Sequence, residues 1–178
     1  MDEFPLAYHI TFTTHGSRLH GDERPTVDRQ HNEFGARFVD ADPTRWSRER
    51  DLLPVPSIRL THPQRAFIEQ ACPTLCARGG WDYHIAAAAP DHVHVLLSAR
   101  ADGKTVRRIL KRWLSQSLSE SWPPPPTGWW TECGSVKWLW KEDYLMNAAR
   151  YIERQSTTVL VTQRPGPLSA SPRPTRPG

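Results

Sequence analysis

Apolar and polar residues alternate from Tyr8 to Thr14. Tyr8, Ile10 and Phe12 share one side, and His9, Thr11 and Thr13 share the other, the period of a half-buried strand. Gly16 and Gly21 break that pattern. From 22 to 57 no period survives. Charged residues (Asp22, Glu23, Arg24, Arg45, Arg48, Glu49, Arg50) and Pro25, Pro43, Pro54 and Pro56 mark a long insertion, with room for a short strand or helix near 34–39. Ile58-Arg59-Leu60 reads as a short strand. Thr61-His62-Pro63 then starts a helix, with Thr61 as N-cap. Ala66, Phe67, Gln70, Ala71 and Leu75 continue it at helical spacing, Pro73 predicts a kink, and Gly79-Gly80 ends it.

Trp81 to Ala89 is β-rich, Pro90-Asp91 is a tight turn, and His92 to Ser98 returns antiparallel to it. Asp102-Gly103 opens a helix with an apolar stripe of Val106, Ile109, Leu110, Trp113, Leu114, Ser117 and Leu118. Pro123 to Pro126 is a polyproline stop after that helix. Ser135 to Trp140 is another strand, with Trp138 and Trp140 on one side. Asp143 is the expected N-cap of a last helix over about 144–159. This order predicts an α+β fold, an antiparallel sheet with helices packed mainly on one face, of the ferredoxin-like kind. One domain over 1–163 with an insertion at 22–57 is expected, followed by a disordered Pro/Arg-rich tail over 164–178.

Composition changes this picture little. A length of 178 residues suits one core, and a net charge of +4 permits an anionic partner without demanding one. Cys72, Cys76 and Cys133 are an odd number without C-x-x-C spacing, so reduced thiols in a cytoplasmic protein are expected. Neither a signal peptide nor a membrane span is expected.

Candidate chemistry begins at Pro90-Asp91-His92-Val93-His94-Val95-Leu96-Leu97. In a strand His92 and His94 project to the same side, as two imidazole ligands of a metal must. The same pair also reads as hydrogen-bonded polar residues on a half-wet sheet. In the late helix Tyr151 and Gln155 are four apart and so share a face. Gln155 offers a neutral oxygen to a hard cation, and Tyr151 a phenol that must lose its proton to act as a nucleophile. Alone, Tyr151 is equally an amphipathic packing residue and Gln155 a surface residue. Together with the histidines they make a three-ligand site beside a nucleophile. Lys104, Arg107, Arg108, Lys111 and Arg112 form the basic side of the preceding helix, either solvated charge or a phosphate-contacting surface.

The His-Val-His strand, the basic helix after it, the Trp-rich strand and Tyr151-Ile152-Glu153-Arg154-Gln155 resemble the HUH endonuclease transposases with a single catalytic tyrosine, notably the REP-associated tyrosine transposases. Tyr8-His9-Ile10-Thr11-Phe12-Thr13 is similar to that family's opening strand, and the likeness covers roughly 6–18 and 58–160. The resemblance implies that His92, His94 and Gln155 bind Mg²⁺ or Mn²⁺. It implies that Tyr151 attacks a phosphate of single-stranded DNA, leaving a 5′-phosphotyrosine link and a free 3′-OH whose counterpart on another strand can reverse the step. It further implies recognition of DNA hairpins, with Lys104, Arg107, Arg108, Lys111 and Arg112 as a contact surface, and a cytoplasmic, nucleoid-associated location in a bacterium. Some members are homodimers that supply the tyrosine helix across the interface, and others act as monomers. The 22–57 insertion is longer than the family's usual connection, and Asp91 stands where many relatives have Asn. Tyr144 is a second tyrosine, but only Tyr151 has Gln four residues on. Two other readings remain open: a non-catalytic module that stacks single-stranded bases on the sheet, and a metal hydrolase in which water attacks.

Overall fold

The structure, a computed structural model, describes residues 4–17, 42–53 and 56–157. The short element expected near 34–39 and the tail over 164–178 lie outside the described residues. The elements are β1 (Ala7–Thr13), α1 (Pro43–Asp51), α2 (His62–Gly79), β2 (Asp82–Ala88), β3 (His92–Ser98), α3 (Gly103–Ser121), β4 (Ser135–Leu139) and α4 (Glu142–Glu153). The four strands form one antiparallel sheet in the order β2-β3-β1-β4. That order, with α2 and α3 as the crossovers, is the expected ferredoxin-like α+β arrangement.

Alternation along the central strands makes two faces of different character. Tyr8, Ile10 and Phe12 of β1 and Val93, Val95 and Leu97 of β3 pack with Ile68, Cys72 and Leu75 of α2 and Val106, Leu110, Leu114 and Leu118 of α3. This is the main core; truncating Leu110 to Ala would cost about 2–5 kcal/mol. Gly103 permits the close approach of α3, because a Cβ there would lie 2.7 Å from Val136 and 2.8 Å from the Tyr8 ring. Two of the packed helices therefore sit on one face, as expected. The third does not: α4 crosses the opposite face, where Ile152 joins Ala7, Ala87, Leu96 and Leu139 in a second, smaller cluster. That exception builds the candidate site.

Local signals explain most boundaries. The Gln64 side-chain oxygen accepts the Thr61 N–H at 2.8 Å at the start of α2, and Gly80 takes the left-handed conformation (φ 67°) at its end. α2 runs unbroken through Pro73, whose side is exposed. Asp102 caps α3 by accepting the Thr105 N–H at 2.8 Å. Ile58 to Leu60 is an extended connector rather than a strand; its N–H groups go to His15 and Pro90 carbonyls. α1 lies inside the insertion and carries no buried residue, so no apolar stripe announces it; the signal is Asp42, which accepts the Thr44 and Arg45 N–H groups before Pro43. α4 begins at Glu142 with Lys141 as N-cap, ahead of the expected Asp143 cap, and ends at Glu153, short of 159. Cys72, Cys76 and Cys133 are all unbridged. No helix among the described residues is long and apolar enough to cross a membrane.

Candidate active site

Side chains of β1, β3 and the end of α4 meet on the sheet face that α4 crosses. His92 and His94 project there from β3 with their rings 4.8 Å apart, edge to face. Pairing of β1 with β3 sets Thr11 directly opposite His94 and Thr13 opposite His92. His9 is then the diagonal neighbour of His94, within the reach of long side chains across a strand pair. Its Nε2 lies 3.1 Å from His94 Nδ1, and Thr11 Oγ1 lies 2.9 Å from the same nitrogen. Alternation puts His9 on this face but gives it no role; only the register of two strands far apart in sequence reveals it as a third imidazole of the site.

Electrostatics around the three rings differ. His9 is pushed down to about 4 from its ordinary 6.5, chiefly by burial and then by the Lys137 ammonium. It is therefore neutral at neutral pH and adds no positive charge to the cluster. Asp91 Oδ1 sits 2.6 Å from His92 Nδ1. A carboxylate there favours the proton on Nδ1, so in the neutral ring Nε2 carries the lone pair. That Nε2 faces Gln155 Oε1 at 3.4 Å.

The expected residues from α4 arrive at the same place. The Tyr151 ring lies against His94, centroids 5.4 Å apart and nearly perpendicular, and 6.2 Å from His9. It is half exposed, so its hydroxyl can meet a ligand from solution. Tyr144 is also exposed, at the first turn of the helix. Gln155 lies not on the helix but in the turn after it, where its N–H donates to the Ile152 carbonyl at 2.9 Å. Gln155 thus comes beside the histidines through a tightened turn rather than through another turn of the helix that carries Tyr151.

Donor chemistry at this place fits a divalent cation. Two imidazole nitrogens and an amide oxygen, with an oriented His92, are a ligand set that leaves positions open for substrate. Among the described residues no cluster of three or more His, Cys, Asp or Glu side chains is placed to hold a metal, so a three-ligand set here would need Gln155.

The five basic residues of α3 do not join this site. α3 packs on the other face of the sheet. They also divide among themselves. Lys111 is buried, and its ammonium donates to the carbonyls of Thr131, Glu132 and Cys133. Arg107 donates to the Gly134 carbonyl. Both are spent tying down the loop before β4. Lys104, Arg108 and Arg112 are exposed, and Lys104, Arg107, Arg108 and Lys111 line a shallow groove of about 390 Å³ with Thr105 and Glu132. α2 and α3 cover one face of the sheet, and the other bears His9, Thr11, His92 and His94 beside α4, while Trp138 and Trp140 are exposed.

No protein-family model and no curated protein matches the chain. Among solved structures it is similar to a putative transposase from Deinococcus radiodurans, with a TM-score of 0.42 and 15% identity over 87% of this chain and 94% of that one. A likeness of that size carries nothing about chemistry, and the site stands on its own geometry.

Proposed function

We propose that this chain is a divalent-metal-dependent enzyme that cuts and rejoins single-stranded DNA, with Tyr151 as nucleophile and His92, His94 and Gln155 as ligands of Mg²⁺ or Mn²⁺. One observation carries the reading: a half-exposed tyrosine ring packs on one histidine of an H-x-H strand while a glutamine from the next turn faces the other. The contact joins segments 63 positions apart and brings polar side chains, not only apolar ones, together on this face. The earlier resemblance to single-tyrosine HUH transposases agrees with it.

In this reading the Tyr151 oxygen forms a bond to phosphorus as the phosphorus–O3′ bond breaks. The phenol gives up its proton, the 3′ oxygen leaves and takes one up, and the 5′ phosphate stays on the tyrosine. Attack by the 3′-OH of another strand reverses the step and frees Tyr151. A bound divalent ion would polarise the phosphate and offset charge building on its oxygens. His94 limits the arc through which the phenol ring swings, and Asp91 keeps His92 Nε2 aimed at the ligand position. The exposed Lys104, Arg108 and Arg112 are proposed to hold a hairpin stem on the far side of the sheet, away from the cutting site.

The test is cleavage of labelled single-stranded DNA carrying hairpins, with Mg²⁺ or Mn²⁺. Cleavage should vanish with EDTA and fall at least ~100-fold in His94→Ala. Tight binding without cleavage by the wild type would instead favour the non-catalytic binding module.

A further inference from the structure

Outside the cluster of histidines, one buried carboxylate ties the turn after α4 to the end of β2. Glu69 projects from α2 and is buried. Its Oε1 accepts the Thr157 N–H at 2.8 Å and the Ala88 N–H at 2.9 Å, and its Oε2 accepts the Ser156 hydroxyl at 2.9 Å. One turn earlier on α2, Arg65 donates to the Ala88 carbonyl at 2.7 Å and to Thr157 Oγ1 at 3.0 Å. Ala88 ends β2, and Ser156 and Thr157 directly follow Gln155.

We infer that Glu69, assisted by Arg65, is a positioning residue of the candidate site: it latches the turn after α4 to α2 and β2, and so fixes Gln155 opposite His92 and Tyr151 over His94. The inference rests on the metal-site reading given above. Its physical basis is independent of any metal. A helix end on a sheet frays unless its last groups find partners. Here the chain leaves α4 at Glu153 and its next polar groups turn inward to a charged acceptor, which makes stronger hydrogen bonds than a neutral one. Glu69 touches neither His92 nor Gln155 side chains in any contact described above; it acts through the backbone on either side of them.

The latch predicts a specific pattern among substitutions. Glu69→Gln keeps an oxygen for the two N–H groups and presents an amide to the Ser156 hydroxyl, which can accept, so the latch survives. Glu69→Ala removes the arms that Glu69 supplies, keeps those of Arg65, and leaves the Ala88 and Thr157 N–H groups without that acceptor. Ser156→Ala removes one arm only and leaves the fold's core untouched, so it remains informative if Glu69→Ala does not fold.

The deciding experiment has a metal-free and a metal-bound arm. Without metal, amide hydrogen exchange at Gln155 to Thr157 should quicken at least ~10-fold in Glu69→Ala and measurably in Ser156→Ala, with β1 and β3 unchanged and Glu69→Gln close to wild type. In the second arm Mn²⁺ is titrated into the full chain. Glu69→Ala should weaken Mn²⁺ binding about 10–100-fold, and Glu69→Gln should restore it. In a Gln155→Ala background the Glu69→Ala change should have no further effect on Mn²⁺ affinity, a coupling that general loosening of the fold does not produce. Unchanged exchange at Gln155 to Thr157 in both Glu69→Ala and Ser156→Ala overturns the latch, as does an undiminished Mn²⁺ penalty in the Gln155→Ala background. If wild-type Mn²⁺ binding proves indifferent to His92→Ala, the metal-site reading fails, and the exchange arm still decides whether the latch holds the turn.

Discussion

His92 Nε2 lies 3.4 Å from Gln155 Oε1, and the contact joins the first residue of a central strand to the turn beyond the last helix. With the Nδ1 proton of the neutral ring directed to Asp91, the two facing atoms are both acceptors unless the amide is turned over. A divalent cation held by His92 and Gln155 would resolve that conflict. Gln155→Ala should therefore weaken Mn²⁺ binding about 10–100-fold. The same variant should keep its thermal stability within about 0.5 kcal/mol, because Gln155 is only half-buried. Calorimetric titration and a melting curve on one sample check both halves.

Asp91→Asn tests orientation at the other ring nitrogen. The amide can still accept from His92 Nδ1 but lacks the charge that fixes the tautomer. Mn²⁺ affinity should fall about 10-fold, and the His92 ring nitrogens should show a changed tautomer balance by ¹⁵N NMR.

Among the basic residues of α3, stability and binding should separate. Lys111→Met strands the carbonyls of Thr131, Glu132 and Cys133, and should destabilise the fold by about 2–4 kcal/mol in a urea melt. Gln at the exposed Lys104, Arg108 or Arg112 should leave the melt unchanged. Each such change should lower DNA affinity across sequences and reduce the slope of log affinity against log salt by about 1 if α3 holds the phosphate backbone. A melt as damaged by Arg108→Gln as by Lys111→Met contradicts the division.

Acid stability should carry the signature of His9. Its folded-state value is held down to about 4, below the ordinary 6.5. Between these values the unfolded chain is protonated and the folded chain is not, so stability falls as pH drops through that window and levels off below it. The contribution lost is on the order of 3 kcal/mol. Metal-free urea melts from pH 7 to 4 should show a steeper fall for the wild type than for His9→Gln.

The latch at Glu69 ties α4 to the α2 and β2 of its own chain. Nucleophile and histidines should then come from one chain. Mixing His92→Ala protein with Tyr151→Phe protein should restore no DNA cleavage; restored cleavage would mean that the helix is exchanged between copies.

How much of this was legible follows from which kind of interaction set each feature. The strands, the shared side of His92 and His94, and the stripe of α3 are written in residue periodicity, because burial acts on side chains at fixed spacing. The pairing of Tyr151 and Gln155 with the histidines came from spacing and resemblance, and the geometry brings the four together. His9 was not legible, since its place depends on register between strands 85 positions apart. The end of α4 was not legible because the chain there obeys a carboxylate on α2 rather than its own helical preference. Lys111 looks in sequence like its solvated neighbours; its acceptors are backbone carbonyls, which leave no mark on composition. α1 lacks an apolar stripe altogether.

The most direct test of the central claim is to capture and map the covalent intermediate. The protein is incubated with labelled single-stranded hairpin DNA and Mn²⁺, the product is denatured and digested, and the DNA-bearing peptide is sequenced by mass spectrometry. The proposed chemistry predicts a metal-dependent adduct in which the 5′ phosphate is bonded to Tyr151, absent from Tyr151→Phe. An adduct on Tyr144, or cleavage that proceeds without any adduct and survives Tyr151→Phe, would contradict it.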